Sequence, residues 1–479
     1  MQLDPDRCYR ALKAHDPRFD GRFFVGVSST RVYCRPVCTV RTPKRENCSF
    51  YLSAAAAEVA GFRPCLRCRP ELAPGYAVID ASAQLAQAAA SLIEDGLVDD
   101  MSVAAVARRL GVTDRHLRRI FQAQFGVSPV EFAQTQRLLL AKRLLSDTAL
   151  SITEVAMASG FGSVRRCNAL FRSQYRISPS ELRKSAQRME SNGALMFQLG
   201  YRAPFDWPAL LAFLAARAVE GVEEIDGLTY RRTVRLEHAG KQHAGWIALR
   251  LGEQRPALEV ALSPSLAKAI PLALSRVKRL CDLQCDPAEI ERTLGTLAAR
   301  NPGLRVPGAF DGFEIAVRAI LGQQVTVKAA RTVAGRFAAA FGEPLAAPFT
   351  GLRYLFPTAP RVAALSVSQI AELGIVSARA KAIIALAEAM ISGALDLDPR
   401  ADTETVLHQL RALPGIGEWT TQYLAMRALT WPDAFPHSDY GVLKALGVSD
   451  PRIALERAVQ WRPWRAYAVM HLWKSLEAK

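Results

Sequence analysis

The sequence predicts a multidomain α+β chain of four blocks. They are a small cysteine-rich α+β module over 1–78, an all-α double helix-turn-helix over 79–190, a strand-containing subdomain over 194–300, and an α-helical bundle over 301–479. Three observations predict it. The 479 residues suit roughly three domains, at about 150 residues each. Two close cysteine pairs sit together near the front. The hydrophobic pattern then alternates between short strand-like pieces and long helical stretches.

Composition narrows the function classes. Half the residues are hydrophobic, enough for each block to bury a core. The net charge of +16, with a pI near 9.7, points to a polyanionic partner, and nucleic acid is the first candidate. Residues 1–190 hold 28 Lys and Arg against 18 Asp and Glu, so the smaller front portion is the more basic one. The first residues lack the apolar core of a signal peptide. No apolar run approaches the roughly 18 residues a membrane helix needs. The expectation is a cytoplasmic, nucleoid-associated protein with no membrane partner, whose 9 cysteines are thiols or metal ligands and not disulfides.

In the first block, Arg22 to Val27 and Ser49 to Leu52 read as strands, and Pro74-Gly75 closes the module. The second block has Ala, Leu and Arg at helical spacing, and Ser191-Asn192-Gly193 reads as a linker. Strands return over 194–265, around Leu228 to Leu236 and Ala244 to Leu251. From about 266 the pattern is helical, with stops at Pro302-Gly303, Pro307-Gly308 and Pro414-Gly415.

Cys34-Arg35-Pro36-Val37-Cys38 and Cys65-Leu66-Arg67-Cys68 suit a tetrahedral four-thiolate zinc site, since each pair can grip the metal from a tight turn. A purely structural zinc knuckle has the same spacing. The segments YCRPVCTVRTPKRENCSFY and AGFRPCLRCRP resemble the N-terminal domain of the Ada family of DNA repair proteins. The resemblance implies one Zn²⁺ held by Cys34, Cys38, Cys65 and Cys68, with Cys34 accepting a methyl group from a methylated DNA phosphate. Zinc keeps the sulfur deprotonated, which is its nucleophilic form. Losing one thiolate charge makes the site less repellent to phosphates. The surrounding arginines, among them Arg35, Arg45 and Arg67, then favour DNA more strongly. Cys8, Cys48, Cys167, Cys281 and Cys285 read as ordinary thiols.

Two segments read as helix, tight turn, helix: Ser102 to Phe121 with Gly111 at the turn, and Ser151 to Phe171 with Gly160-Phe161-Gly162-Ser163. Beyond the turns stand Arg115, Arg118 and Arg119 in the first, and Arg165 and Arg166 in the second. Arginine-rich second helices suit major-groove reading, although a structural bundle can carry the same shape. The repeated ending Phe-x-x-x-(Phe/Tyr)-x-(Val/Ile)-Ser-Pro resembles the AraC family of bacterial transcription activators. Cys167-Asn168-Ala169 departs from that family's usual Phe-Asn-(Arg/Ala). The resemblance implies operator binding and RNA polymerase as a partner.

In Leu413-Pro414-Gly415-Ile416-Gly417, Gly415 and Gly417 flank one apolar residue between two helices. That is a helix-hairpin-helix signature, whose amides bind a phosphate without reading sequence. Trp419 and Tyr423 follow at i, i+4, then Asp439 and, near the end, Trp473. Core packing accounts equally well for the aromatics, and an N-cap for Asp439. Residues 196–479 resemble AlkA-type 3-methyladenine DNA glycosylase II, through PFDWPALLAFLAARAVEGVE, RLCDLQCDP, AILGQQV, LPGIGEWTTQYLAMRAL and WRPWRAYAVMHLW. The resemblance implies a TATA-binding-protein-like α/β subdomain followed by a helix-hairpin-helix glycosylase bundle. It makes Asp439 the catalytic carboxylate, places the flipped base against Trp419, Tyr423 and Trp473, and puts Gln323 and Gln324 at the wedge. It also implies a monovalent cation on the hairpin carbonyls. Bifunctional members carry a lysine where Trp419 stands, so a monofunctional hydrolase is expected.

The combined expectation is a monomer acting on alkylated and operator double-stranded DNA. It regulates the adaptive response and excises alkylated bases. The alternative is a damage-responsive regulator whose rear half binds without cleaving and whose zinc is purely structural.

Overall fold

The computed structural model describes residues 4–15, 23–36, 38–51, 57, 60–65, 68, 78–95, 103–125, 127–175, 177–185, 193–238, 240–253 and 256–477. Pro74-Gly75, Ser102, Ser191-Asn192 and Arg67 lie outside the described residues. The chain forms two compact units: Met1–Ile93 with Met101–Ala133, and Glu94–Asp100 with Gln134–Lys479.

The first unit opens on a helix, Pro5–Lys13. Its first-turn amides are satisfied by Asp4, which accepts from the Asp6 and Arg7 N–H groups. The helix covers a four-stranded sheet of β1 (Phe24–Val27), β2 (Val32–Cys34), β3 (Cys48–Tyr51) and β4 (Arg63–Pro64) in the order β3-β1-β2-β4. Leu12, Phe23, Val25, Cys8 and Cys48 fill the space between them, so the last two are core thiols. The parallel pairing of β2 with β4 sets Tyr33 opposite Pro64. The Cys65 amide then donates to the Tyr33 carbonyl at 3.0 Å, which draws the second cysteine pair alongside Cys34.

The first helix-turn-helix is Val103–Arg109 and Asp114–Phe125, with Gly111 in the left-handed region at φ +68°. Val106, Ala107, Leu117, Ile120 and Phe121 are buried in it. The second is Ile152–Ala158 and Val164–Tyr175, opened by a Ser151–Glu154 capping box. The repeated Ser-Pro endings turn out to start helices. Ser128 and Glu131 exchange side-chain-to-backbone bonds at the head of Pro129–Asp147, and Ser178 and Glu181 do the same for Pro179–Ser185.

The second unit holds a five-stranded antiparallel sheet: β5 (Leu195–Gly200), β6 (Glu223–Asp226), β7 (Thr229–His238), β8 (Lys241–Leu251) and β9 (Ala257–Leu262), in the order β5-β9-β8-β7-β6. The expected strands around 228–236 and 244–251 are β7 and β8. A helix, Trp207–Arg217, lies between β5 and β6. The second helix-turn-helix is not an independent bead. Leu138, Leu144, Leu145, Val155, Phe161 and Phe171 belong to the same buried cluster as Leu195, Phe197, Leu258 and Leu272. Arg143 donates to the Gln198 carbonyl, and its guanidinium sits 5.3 Å from the centre of the Phe197 ring. A chain begun at 194 exposes that apolar face. It is expected to melt about 5 °C or more below one begun at 134, as thermal unfolding of the two fragments will show.

The rest of the unit is helical, apart from a two-stranded pairing of Glu343–Pro344 with Tyr354–Leu355, around one core that includes Phe313, Ile320, Phe337, Leu386, Leu424, Phe435 and Val469. On the last helix, Arg465–Glu477, burial pushes the His471 imidazole down to about 4. Its folded value lies below its ordinary 6.5, so the stability it contributes is whole above pH 6.5 and is lost as the pH falls from there toward 4. Burial pushes Asp282 up to about 6 from 3.8, which acts oppositely, adding stability as the pH falls from 6 toward 4. His471→Gln is expected to reduce the drop in melting temperature between neutrality and about pH 5, measured by scanning calorimetry.

Candidate active site and metal centre

The helix Thr403–Ala412 ends at Leu413, and the chain turns through Pro414 and Gly415 to restart at Gly417, the cap of helix Glu418–Arg427. Gly415 has φ +77°, and a Cβ there would lie 3.0 Å from that of Ala382, so a larger residue is disfavoured twice. No side chain caps the second helix, so its first-turn amides lack a side-chain partner at an exposed hairpin.

That helix carries Trp419 and Tyr423, whose rings stack at 5.2 Å and 13°. Facing them is Asp439, the N-cap of helix Tyr440–Leu446, whose Oδ1 accepts the Val442 amide at 2.9 Å. Two indoles also hold this carboxylate. Trp419 Nε1 donates to Oδ2 at 2.9 Å and Trp473 Nε1 to Oδ1 at 2.8 Å. One carboxylate therefore both caps the helix and receives the two indoles. Gly441 keeps the approach open, since a Cβ there would come within 3.0 Å of both Asp439 Oδ1 and the Trp473 ring.

Asp439, Trp419, Tyr423 and Trp473 line a cavity of about 390 Å³, within the usual range for a ligand pocket. Three further residues that sequence reasoning missed also line it or support it. Tyr440, 78% exposed, stands at its mouth, and Arg217 lines its wall. Phe213 stacks on Trp473 at 6.2 Å and 16°, with the Arg217 guanidinium 3.8 Å from its ring centre. Phe213 and Arg217 are spaced i, i+4 on Trp207–Arg217, the one signal that could have linked them.

A buried ionic layer adjoins the cavity through Arg318, which also lines it. Arg318 bonds Glu223 at 3.0 Å and Glu314 at 2.9 Å, Arg232 bonds Glu314, and Tyr230 donates to Glu223 at 2.6 Å. Burial alone would raise the Glu223 carboxyl, but Arg318 and Arg232 outweigh it and hold it below the ordinary carboxylate value. The Tyr423 phenol is likewise buried, yet Arg427, Arg217 and Arg318 bring it below its ordinary value. Arg427 donates to its oxygen at 2.7 Å.

Gln323 and Gln324 are not among the residues lining the cavity. Gln324 is exposed with φ +55°. Gln323 turns away and donates to the Gly415 carbonyl at 2.9 Å and to Thr420 Oγ1 at 3.0 Å, a departure from its expected contact with the base.

In the first unit the sulfurs of Cys34, Cys38, Cys65 and Cys68 all lie within 4.8 Å of one another. Four soft donors in so small a space fit zinc. Of the four residues, only Cys34 and Cys38 border a small cavity of about 20 Å³, whose other walls include Leu12, Val25, Val27 and Val40.

The arginines divide. Arg35, expected to face DNA, is 2% exposed. Its backbone amide donates to Cys68 Sγ at 3.4 Å and its side chain to the Cys68 carbonyl at 3.2 Å, so it braces the cysteine cluster. Arg45 pairs with Asp6 at 3.2 Å and covers Phe50. Arg118 pairs with Asp114, Arg119 lies against His116, and Arg115, Arg165 and Arg166 are exposed on their helices.

Comparison with known families matches four stretches of the chain. Residues 7–71 match the metal binding domain of Ada, 106–185 a helix-turn-helix domain, and 196–311 the AlkA N-terminal domain. Residues 317–456 match the HhH-GPD superfamily of base excision DNA repair proteins. The chain is 40% identical to a probable bifunctional transcriptional activator/DNA repair enzyme AlkA of Mycobacterium tuberculosis, over 100% of this chain and 97% of that protein. It is 38% identical to DNA-3-methyladenine glycosylase 2 of Escherichia coli, over 58% of this chain and 96% of that one. In fold it is similar to a 3-methyladenine DNA-glycosylase from Archaeoglobus fulgidus, at a TM-score of 0.50 and 20% identity, over 58% of this chain and 97% of that one.

Proposed function

The chain belongs to the family of bifunctional transcriptional activator/DNA repair enzymes, and from that membership we propose two specific activities. One is monofunctional excision of alkylated bases such as 3-methyladenine. The other is transfer of a methyl group from DNA methylphosphotriesters to Cys34. Asp439, fixed by two indole N–H groups inside an aromatic cavity, is the observation that carries the first.

A 3-methylpurine is cationic and leaves easily. Flipped into the cavity, it meets the ring faces of Trp419, Tyr423 and Tyr440, whose cation–π attraction is worth about 0.5–2 kcal/mol. As the C1′–N bond breaks, its electrons neutralise the base, and the Asp439 carboxylate stabilises the positive sugar. Water then adds at C1′ and gives up a proton. Trp419 offers no amine for lyase chemistry.

Zinc, when bound by Cys34, Cys38, Cys65 and Cys68, would keep the sulfurs deprotonated. Cys34 Sγ then attacks the methyl carbon, an S–C bond forms, the C–O bond breaks, and the phosphate leaves as a diester anion. The cavity beside Cys34 and Cys38 supports those two over Cys65 and Cys68, and the Ada likeness favours Cys34.

Methylation raises affinity for operator DNA, read by Arg115, Arg118, Arg119, Arg165 and Arg166, and the Gly415–Gly417 hairpin grips a phosphate of damaged DNA. Recruitment of RNA polymerase, a monomeric state, a cytoplasmic location, the domain limits at 78, 190 and 300, and a monovalent cation at the hairpin belong to the same proposal. Among the described residues, no helix is long and apolar enough to cross a membrane. Incubation with methylated duplex DNA, following freed bases and protein mass together, tests both activities. A chain that releases no base and gains no methyl would favour the regulator with a structural zinc site.

A further inference from the structure

The loop between helices Gly312–Leu321 and Val327–Phe341 forms one rim of the cavity, through Gly322, Val325 and Thr326. Its exposed tip is Gln324, a non-glycine residue in the left-handed region. Such a conformation persists only where the surroundings enforce it. Here they do. The side chain of the preceding residue, Gln323, reaches across 92 positions of sequence to the hairpin, donating to the Gly415 carbonyl at 2.9 Å and to Thr420 Oγ1 at 3.0 Å. The Gln323 carbonyl in turn accepts from Arg379, on helix Ser377–Ile391. That same helix supplies Ala382, against which Gly415 packs. Rim loop, hairpin and helix thus close a ring of contacts.

We infer that Gln323 is a positioning residue that ties the rim loop to the phosphate-gripping hairpin, so that capture of the DNA backbone sets where Gln324 enters the duplex. On the glycosylase reading the hairpin holds DNA without reading its sequence, and Gln324, exposed at the tip of the cavity rim, is the group that would enter the gap left by a flipped base. A fixed separation between them makes backbone binding and gap filling one event. The inference rests on the glycosylase reading and adds to it a residue that touches neither base nor phosphate.

The test uses the full chain with Gln323→Leu, which keeps bulk and loses the donor, and Gln323→Glu, which keeps length and loses the donor. Two duplexes serve as probes. One carries methylated purines, and the other an abasic-site analogue with 2-aminopurine in the opposite strand, whose fluorescence reports insertion into the gap. Both variants are expected to bind undamaged duplex within about twofold of wild type and to melt at the same temperature. They should lose the fluorescence change and release bases about tenfold or more slowly. Wild-type fluorescence and excision in both variants would overturn the inference. So would a joint fall of melting temperature, duplex affinity and excision, which would make Gln323 a general support of the hairpin. A wild-type chain that releases no base would instead overturn the glycosylase reading.

Discussion

Asp439→Asn is expected to abolish release of methylated purines, slowing it by about a hundredfold or more, while the protein folds and binds damaged DNA as before. The substitution is nearly isosteric, and asparagine is as good an N-cap as aspartate, so helix Tyr440–Leu446 keeps its start. What changes is charge and donor pattern. Both carboxylate oxygens now accept an indole N–H. An amide offers one acceptor oxygen and one NH₂ group, so one of Trp419 and Trp473 would face a donor instead of an acceptor. The developing sugar cation would also meet a neutral group. Single-turnover base release, measured beside the melting temperature and duplex affinity, separates this loss from misfolding. Excision near the wild-type rate would remove Asp439 from the chemistry.

Cys34→Ser is expected to prevent methyl uptake altogether, leaving the protein's mass unchanged after exposure to methylphosphotriester DNA. Base excision by the same variant should continue, because that chemistry uses none of the four cysteines. In the wild type, one added methyl should map to Cys34, and affinity for operator DNA should rise on the order of tenfold as one negative charge leaves the centre. That gain should shrink with added salt. A methyl found on Cys38 instead would reassign the acceptor, since both residues border the same small cavity. Mass spectrometry of peptides, run alongside binding isotherms, decides between them.

Much of this site is legible in the sequence because its chemistry sits in close spacing. The four cysteines form two short pairs, and Trp419 and Tyr423 lie one turn apart just beyond the hairpin. Asp439 is visible both as a cap and as a candidate catalytic group, and the structure shows the cap and sets the same carboxylate in the aromatic cavity. What stays hidden depends on contacts between distant segments. Arg35 reads as one more basic residue near DNA, yet it is buried against Cys68. Gln323 reads as part of a wedge, yet its side chain serves Gly415, far along the chain. Arg217 and Phe213 lie in an apolar helix whose spacing looks like ordinary core. The two Ser-Pro endings repeat, but their role as helix starts depends on Glu131 and Glu181 folding back on the serines.

The interior common to the second helix-turn-helix and the β5–β9 sheet has an evolutionary consequence. Two genes joined by a loose tether can be parted again or shuffled with other partners at little cost. Once Phe171 and Phe197 lie in one continuous interior, each side accumulates changes that suit only the other. Recombination between relatives should therefore fail when the crossover falls near 190, inside that interior. The second helix-turn-helix and the cutting half would then be inherited together.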